Sequence, residues 1–438
     1  MKIMVREING CSSLRGAISP PGDKSISHRV VMLNAIAEGS AIITNFCTGD
    51  DCNSTICCLQ ALGSDIYFDS SDPTRVTING AGSHGLSEPF DILDAGNSGT
   101  TMRLLAGLLS AQPIFSVITG DSSLRSRPMD RIVHPLHMMG ASIWGRVEGS
   151  LPPLAIYGQK LQGITYTLPV ASAQVKSAIL LAALFAEGPT TIIEPVISRD
   201  HTERLLQAMG ASIDKKESFI SIYPLDKPLK AISGAIPSDI SAAAQWLVAG
   251  AIHPNSHIEM QGVGLNPTRT GIIEVLQQMG ANLKTCNMRT EGGEPVADVV
   301  IESSQLRGAR INGELIPRLI DEIPLLAVAA SVAKGSTVIR GAEELRHKES
   351  DRLATTAEEL SKLGACIEEL PDGMMIHGGT TLHGAKCSSH NDHRLAMAIG
   401  VAGLIADGRT EVHQAEAVDI SYPTFWQDME TLGGKMLQ

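Results

Sequence analysis

The sequence lacks any apolar run long enough to cross a bilayer. Its longest apolar stretches, residues 178–186 and 323–332, are too short or too interrupted for a spanning helix, which needs about 20 apolar residues. The first seven residues also lack the apolar core of a secretory signal. We therefore expect a cytoplasmic protein with no membrane partner.

Cysteine pairs and positive charge are also scarce. The 438 residues include eight cysteines, none of them in a C-x-x-C pair or at a metal-ligand spacing, so we expect reduced thiols and no metal site. Lysine and arginine total 35 against 47 acidic residues, and the net charge of −12 disfavours a nucleic-acid partner. An acidic protein that binds anions must concentrate its cations locally, which makes each basic cluster informative.

A phrase of the form Leu-x-x-(Leu/Met)-Gly recurs along the chain. Its glycines are Gly63, Gly140, Gly210, Gly280 and Gly364, with a weaker sixth copy ending at Gly433, and they lie 69 to 84 residues apart. Such a period is typical of internal duplication. Each glycine is expected to end a helix in the left-handed conformation, and a short strand follows most of them. Six units of this size predict two domains of three units.

The segment Pro21-Gly-Asp-Lys-Ser-Ile-Ser-His-Arg29 has the composition of an anion site. The apolar spacing predicts a helix that begins near Ser25, which places Lys24, Ser25 and Arg29 at its N-terminus. Free backbone N–H groups and the helix dipole favour a phosphate or carboxylate there. The alternative is a capping serine with solvated basic neighbours.

Two further segments are candidate anion loops. In Asp94–Arg103, Gly99 would let the backbone approach a ligand before a helix predicted to start near Met102. No Gly-Lys-Ser/Thr follows, so this is not the loop of a nucleoside triphosphatase. Farther along, Arg127 precedes Pro128, which favours extended backbone and suits a guanidinium that binds carboxylate or phosphate. Simple helix caps and a solvated arginine run remain alternatives.

Polar residues also open two later helices. Ser172, Gln174 and Lys176 offer hydroxyl, amide and ammonium donors at the start of an apolar helix, and Ser198 precedes another. Either group could be simple capping.

The last third contains charged clusters beside apolar helices. At helical spacing Lys348 and Arg352 are i and i+4, so both could converge on one anion, with Glu349 on an adjoining face. A solvated helix laced with Lys/Glu pairs is the alternative. The pair Asp321-Glu322 abuts an apolar helix, where burial could raise a carboxyl pKa for proton transfer, although a helix cap would look the same.

Taken together, these segments resemble the 5-enolpyruvylshikimate-3-phosphate (EPSP) synthase family over the whole chain. The resemblance rests on eight motifs in the family's order: residues 21–29, 96–103, 126–129, 171–178, 266–271, 321–324, 347–353 and 391–397. It implies an α/β (α+β) fold of two similar domains, each made of three βαβαββ units, with the active site in the cleft between them. One domain would be residues 23–237, and the other would join residues 1–22 to residues 238–438.

The resemblance also implies a reaction. The enolpyruvyl group of phosphoenolpyruvate is transferred to the 5-hydroxyl of shikimate 3-phosphate and phosphate is released, with no metal or organic cofactor, by a monomer whose domains close on the substrates. Asp321 would take the hydroxyl proton, while Glu349, or alternatively Lys24, would handle the methylene proton.

The family's binding residues carry over by motif. The shikimate 3-phosphate set would be Lys24, Ser25, Arg29, Ser172, Ala173, Gln174, Ser198, Asp321 and Lys348. The phosphoenolpyruvate set would be Lys24, Gly99, Arg127, Gln174, Arg352 and Arg394.

Two positions depart from the pattern of some relatives. Ile420 stands where they carry a lysine, which removes one phosphoenolpyruvate contact, and Ala173 stands where others place a serine, which removes a phosphate donor.

Two other functions compete with this interpretation. The sister carboxyvinyl transferase that acts on a UDP-amino sugar shares the fold, but it uses a reactive cysteine in a mobile loop, and no cysteine here lies in a comparable basic loop. A repeat scaffold that only binds phosphorylated metabolites is the non-enzymatic alternative.

Overall fold

Short strands alternate with helices along the chain. The computed structural model describes residues 4–313 and 315–437, with no account of the side chain at 437. The strands are β1 (Val5–Asn9), β2 (Leu14–Ile18), β3 (Glu38–Thr44), β4 (Asp65–Phe68), β5 (Val76–Ala81), β6 (Leu93–Asp94), β7 (Phe115–Thr119), β8 (Ser142–Arg146), β9 (Leu151–Tyr157), β10 (Leu161–Gln162), β11 (Thr165–Thr167), β12 (Ala186–Glu187), β13 (Thr190–Ile193), β14 (Ile213–Lys216), β15 (Phe219–Ile222), β16 (Gly234–Ala235), β17 (Ser256–Gly264), β18 (Asn282–Glu291), β19 (Glu294–Glu302), β20 (Arg310–Ile311), β21 (Ser336–Ile339), β22 (Cys366–Leu370), β23 (Gly373–His377), β24 (Lys386–Ser388), β25 (Arg409–His413) and β26 (Lys435–Leu437).

The helices begin at polar or glycine-rich turns and are mostly apolar inside. They are α1 (Lys24–Ala35), α2 (Asp50–Ala61), α3 (Gly99–Leu109), α4 (Asp130–Met138), α5 (Ala173–Ala183), α6 (His201–Ala208), α7 (Ile240–Ile252), α8 (Gly271–Gln278), α9 (Ile316–Leu319), α10 (Ile323–Val332), α11 (Arg352–Lys362), α12 (His393–Gly403) and α13 (Phe425–Thr431). None of these helices combines the length and apolarity that a membrane crossing requires.

One sheet pattern recurs along the chain. In the sheet β16-β3-β5-β4, the first two strands are parallel, and β5 runs antiparallel to both of its neighbours. The sheets β6-β7-β9-β8, β11-β13-β15-β14, β20-β21-β23-β22 and β24-β25-β1-β26 repeat the same directions. A further four-stranded sheet has the order β18-β19-β17-β2. The predicted mixed α/β class is confirmed.

The six repeat glycines end helices, as the sequence predicts. They follow α2, α4, α6, α8, α11 and α13, and their φ angles lie between 86° and 103°. A residue without a side chain adopts this left-handed backbone readily, so the helix stops there. The strand-like runs that follow the first five glycines fall within β5, β9, β15, β19 and β23.

The chain divides into two compact units. The first unit is Gly22–Ile236 with Glu291–Glu294, and the second contains the chain up to Pro21, Pro237–Thr290 and the chain from Pro295 onward. The early strands join the second unit because β1 pairs with β25 and β26, while β2 pairs with β17. The domain boundaries predicted from the sequence, after residues 22 and 237, each lie one residue later than the observed ones, and the prediction assigns 291–294 to the other domain. Residues 1–3 and 314 of the predicted domain lie outside the described residues.

Each unit has its own core around three buried helices. In the first unit these are α1, α3 and α5, and in the second they are α7, α10 and α12. All of them bury side chains on nearly every face, because they are rich in alanine, leucine, isoleucine and valine. Four of the polar residues that the sequence singles out lie in the first turns of these helices: Lys24, Ser25, Gln174 and Arg394.

Candidate functional site

The three core helices of the first unit begin with side-chain caps. Asp23, Ser98 and Ser172 each accept the backbone N–H three residues ahead, at 2.9, 3.1 and 3.4 Å. Helix starts of this kind carry partial positive charge and favour an anion. The helix predicted near Met102 begins earlier, at Gly99, because Ser98 caps it.

Lys24, the first residue of α1, is paired with a carboxylate. Its Nζ atom lies 2.9 Å from Oδ2 of Asp51 in α2, and their side chains are 16% and 8% exposed. The ammonium group therefore stays at the helix start instead of extending into solvent. Asp51 was not predicted as a site residue; its place in the acidic first turn of α2 was the available signal.

Arg29 is buried and connects three helices. Its Nη1 donates to the carbonyl of Ser25 at 2.9 Å, its Nε to Oγ1 of Thr202 at 2.7 Å, and its Nη2 to Oγ of Ser177 at 2.8 Å. The predicted anion ligand thus also fixes α1 against α5 and α6.

A second group of donors surrounds the start of α3. Arg103 Nη1 donates to Oε1 of Gln174 at 2.5 Å, and Gln174 Nε2 donates to Oγ1 of Thr100 at 3.0 Å. Arg127 donates through Nη2 to Oδ1 of Asn97 at 2.5 Å. Arg127 has the extended backbone predicted for a residue before proline, with φ −80° and ψ 141°.

Lys176, one of the donors noted at the start of α5, directs its ammonium group to buried carboxylates. Its side chain is fully buried, and Nζ lies 3.0 Å from Oε2 of Glu194 and 2.8 Å from Oε1 of Glu203. Nζ also donates to the carbonyl of Ser198 at 3.3 Å, and Ser198 Oγ donates to Oε1 of Glu194 at 2.5 Å. Two acidic residues that lie apart in sequence enclose this lysine, which no local pattern reveals. Ala173 is the first residue of α5, beside its capping Ser172.

Arg352, in the second unit, contacts three carboxylates. It is buried, and it contacts Asp392 at 2.8 and 3.2 Å, Glu349 at 2.6 Å and Asp321 at 3.3 Å. Burial alone would lower its pKa, but these carboxylates, Asp392 above all, raise the pKa above its ordinary value. The guanidinium is therefore permanently charged.

Lys348 and Arg352 do not lie on one face of a helix, because only Arg352 is helical. The prediction that a shared helix brings their side chains together is therefore wrong. The helix α11 begins only at Arg352, because the side chain of Asp351 accepts the N–H of Ala354 at 3.1 Å and caps it. Lys348 precedes it with extended backbone, φ −89° and ψ −155°. Burial lowers the pKa of Lys348, and Asp321 opposes this shift.

The adjacent carboxylates Asp321 and Glu322 lie in different environments, one partly exposed and one buried. Both lie in the single 3-10 turn that leads into α10. Glu322 is buried, accepts a short hydrogen bond from the Ser241 hydroxyl and lies 3.9 Å from Arg269. Burial raises the pKa of Glu322, and Arg269 opposes this. Asp321 keeps 17% of its side chain exposed and faces Arg352.

Arg394 lies at the start of α12. Asp392 caps this helix by accepting the Arg394 N–H at 2.9 Å, and the same carboxylate holds Arg352. The Arg394 side chain is 5% exposed, and its Nε has no hydrogen-bond partner among the described residues. Asp392 was not predicted as a site residue, although its position just before an apolar helix is a cap signal.

Comparisons with known proteins identify the family of this chain. The model of the family described as EPSP synthase (3-phosphoshikimate 1-carboxyvinyltransferase) matches residues 8–429. The chain belongs to the EPSP synthase family. The resemblance inferred from the motifs is therefore confirmed.

Several relatives within the EPSP synthase family match over nearly the whole chain. The 3-phosphoshikimate 1-carboxyvinyltransferase of Herpetosiphon aurantiacus is 55% identical over 97% of this chain and 98% of its own. The same enzyme from a Roseiflexus species is also 55% identical, over 97% and 98%. The solved EPSP synthase of Acinetobacter baumannii is 44% identical, with a TM-score of 0.88 and full coverage of both chains.

A more distant solved structure shares the fold of the EPSP synthase family. The enolpyruvyl transferase NikO of Streptomyces tendae is 20% identical, with a TM-score of 0.80, and covers 99% of this chain and 98% of its own.

One cluster in this EPSP synthase family member has metal-type ligands, but a lysine already pairs with its carboxylates. Among the described residues, Glu358, Glu359 and His390 bring such atoms together. The Lys362 ammonium contacts both carboxylates, at 3.0 and 2.8 Å, and His390 Nε2 lies 2.7 Å from Glu359. A cation at that position would meet the lysine charge, so the cluster is better suited to an ion-pair network than to a metal.

Lys176→Met should destabilise the protein strongly, because it leaves Glu194 and Glu203 buried without their cation. Removing one partner of a buried ion pair typically costs about 3–5 kcal/mol. Lys160→Met is the matched control, since Lys160 is 90% exposed and 3.9 Å from Glu187. Thermal melting should show a clearly lower transition for Lys176→Met and no change for Lys160→Met. Equal transitions would show that the buried cluster does not depend on the lysine charge.

Proposed function

We propose that the protein is a 3-phosphoshikimate 1-carboxyvinyltransferase, which transfers the enolpyruvyl group of phosphoenolpyruvate to the 5-hydroxyl of shikimate 3-phosphate. The observation that carries this proposal is the concentration of cations at helix starts in a protein of net charge −12. Lys24 opens α1, Arg352 opens α11, and Arg394 lies at the second position of α12. Two substrates that carry phosphate and carboxylate groups need such an inventory.

The binding sets follow the family's motifs. Lys24, Ser25, Arg29, Ser172, Ala173, Gln174, Ser198, Asp321 and Lys348 bind shikimate 3-phosphate in this proposal. Lys24, Gly99, Arg127, Gln174, Arg352 and Arg394 bind phosphoenolpyruvate. The geometry supports these sets in part: Gln174 lies between Thr100 and Arg103 at the start of α3, and Arg352 is fixed by three carboxylates.

The reaction divides into addition and elimination. Asp321 takes the proton of the 5-hydroxyl as its oxygen bonds to C2 of phosphoenolpyruvate, and the C2=C3 electron pair takes a proton at C3. The tetrahedral intermediate then loses a C3 proton, the double bond re-forms, and the C2–O bond to phosphate breaks. Glu349 or Lys24 handles the C3 proton, and the arginines stabilise the charge on phosphate and carboxylate. This proposal requires no cofactor.

The sister transferase that uses a loop cysteine is less compatible with the structure. The exposed cysteines Cys57, Cys286 and Cys366 lie within α2, β18 and β22, not in loops. A purely binding scaffold would leave the positions of Asp321 and Glu349 beside Arg352 without a purpose. Action as a cytoplasmic monomer stays a prediction of the sequence.

The decisive test is coupled release of phosphate. The purified protein is mixed with phosphoenolpyruvate and shikimate 3-phosphate, and inorganic phosphate and the enolpyruvyl product are measured together. We expect equal amounts of both. A parallel reaction with a UDP-amino sugar as acceptor should give none. Phosphate release only with the UDP-amino sugar would establish the sister activity, and binding without turnover would establish a scaffold.

Asp321→Asn should lower turnover by about 10²–10⁴-fold, because the amide keeps the shape of the side chain but cannot accept the hydroxyl proton. Calorimetry should show nearly unchanged binding of shikimate 3-phosphate. Asp226→Asn, at an exposed position of the first unit, is the control and should retain full turnover. Normal turnover of Asp321→Asn at saturating substrates would remove Asp321 as the base.

Gly99→Ala should weaken inhibition by glyphosate more than it weakens phosphoenolpyruvate binding. An added Cβ would lie 2.9 Å from Nη1 of Arg103 and 3.5 Å from Nη1 of Arg127, so the end of the Arg103 side chain, which also holds Gln174, must shift. Crowding of this kind costs about 1–3 kcal/mol of binding free energy. The affinity for glyphosate, the longer of the two ligands, should therefore fall roughly tenfold to hundredfold.

A steady-state titration of glyphosate against phosphoenolpyruvate measures both affinities. Gly234→Ala is the control, since a Cβ there meets nothing within 4 Å. If wild type and Gly99→Ala had the same inhibition constant, Gly99 would not determine the response.

A further inference from the structure

His28 belongs to the first anion motif, yet it begins a buried chain of hydrogen bonds. Its Nδ1 lies 2.6 Å from Oγ1 of Thr55, which lies 2.7 Å from Oγ1 of Thr101, which donates to Oγ of Ser98 at 2.7 Å. All four residues are 0% exposed. The chain joins α1, α2 and α3, and it ends at the residue that caps α3.

The hydrogen bonds of this buried chain run in one direction, from His28 as donor to Ser98 as acceptor. Ser98 Oγ accepts from the Thr101 backbone N–H at 3.1 Å and from the Thr101 hydroxyl. The carbonyl of Asp51 is a second acceptor for both threonine hydroxyls, but it lies farther away, 3.3 Å from Thr101 Oγ1 and 3.5 Å from Thr55 Oγ1. When each hydroxyl gives its one proton to the nearer oxygen, Thr101 accepts from Thr55, and Thr55 accepts from Nδ1–H of His28. The remaining Nε2 is buried without a partner among the described residues. An unprotonated nitrogen fits that position better than an N–H donor would.

The imidazole is therefore neutral and does not act as an anion ligand. Burial lowers the pKa of His28 well below its ordinary value, and the charges of Lys24 and Arg29 lower it further, while Asp23 opposes this. The lowered pKa favours the neutral imidazole, whose Nδ1–H group holds the hydroxyl chain.

We propose that His28 is a positioning residue for the phosphoenolpyruvate pocket, acting through Thr55 and Thr101 on Ser98. This inference rests on the proposed function. Ser98 sets where α3 begins, and the next two residues are Gly99 and Thr100, whose hydroxyl accepts from Gln174 at 3.0 Å. A shift of the Ser98 cap would displace Gly99 and Gln174 together.

Two variants of His28 separate the hydrogen bond from mere packing. Asparagine places an amide nitrogen one bond from Cγ, as Nδ1 is in histidine, so His28→Asn can still donate to Thr55. His28→Leu fills the space without a donor. We expect His28→Leu to raise the KM for phosphoenolpyruvate about tenfold. The KM for shikimate 3-phosphate should rise less, because that set includes Gln174, which contacts the start of α3, but not Gly99, the first residue of α3. His28→Asn should stay within about threefold of wild type for both substrates.

Thr55→Val cuts the same chain one step later and should reproduce the effect of His28→Leu. The double variant should be no worse than either single one, because the two changes break one chain. Thr356→Val is the matched control, since Thr356 is equally buried in α11 and its hydroxyl has no partner among the described residues. It should leave both KM values unchanged.

The wild type is assayed first, so that the two proposals fail in different ways. A wild type without turnover would overturn the proposed function. An active wild type with a normal phosphoenolpyruvate KM in His28→Leu or Thr55→Val would overturn the positioning role, as would equal impairment of His28→Asn and His28→Leu, or equal increases in both KM values. If His28→Leu does not fold, the split between the two KM values in Thr55→Val decides the question.

Discussion

The pairing of Lys24 and of Arg352 with carboxylates is the constraint on which the candidate site depends. A helix start is already partly positive, so a lysine or arginine placed there experiences repulsion from the helix dipole. Asp51 offsets this for Lys24, and Asp392 does so for Arg352 while capping the helix of Arg394. The carboxylates thus hold the cationic side chains in one orientation before an anion binds. This reduces the side-chain entropy that is lost on binding.

The repeated architecture explains why such positions exist more than once. Each repeat contributes one apolar helix to the core of its unit, and burial of that helix on nearly every face leaves its N-terminal turn as the place where polar side chains can lie. Five of the six core helices, α1, α3, α5, α7 and α12, share one arrangement, a start capped by a side chain. The sixth, α10, differs, because it follows the 3-10 turn of Asp321 and Glu322 without a side-chain cap.

Much of this organisation could be predicted from the sequence, because periodic glycines and apolar runs are local signals. The helix ends at Gly63 and Gly433 follow from backbone geometry alone. The fate of individual cations could not be predicted, because it depends on distant partners. Lys176 looks like a ligand in its motif, yet Glu194 and Glu203 enclose it. The prediction for Lys348 was wrong for a local reason instead of a distant one. The side chain of Asp351 caps α11, so the helix begins after Lys348 and does not include it.

The place of β1 in its sheet also orders events in time. This strand lies between β25 and β26, so its residues pair with residues made more than 390 positions later. During synthesis the first unit, apart from its four residues 291–294, is complete once residue 236 has emerged. The second unit must instead keep β1 unpaired until β25 and β26 have been made. A chain interrupted before β25 therefore leaves β1 with two open edges.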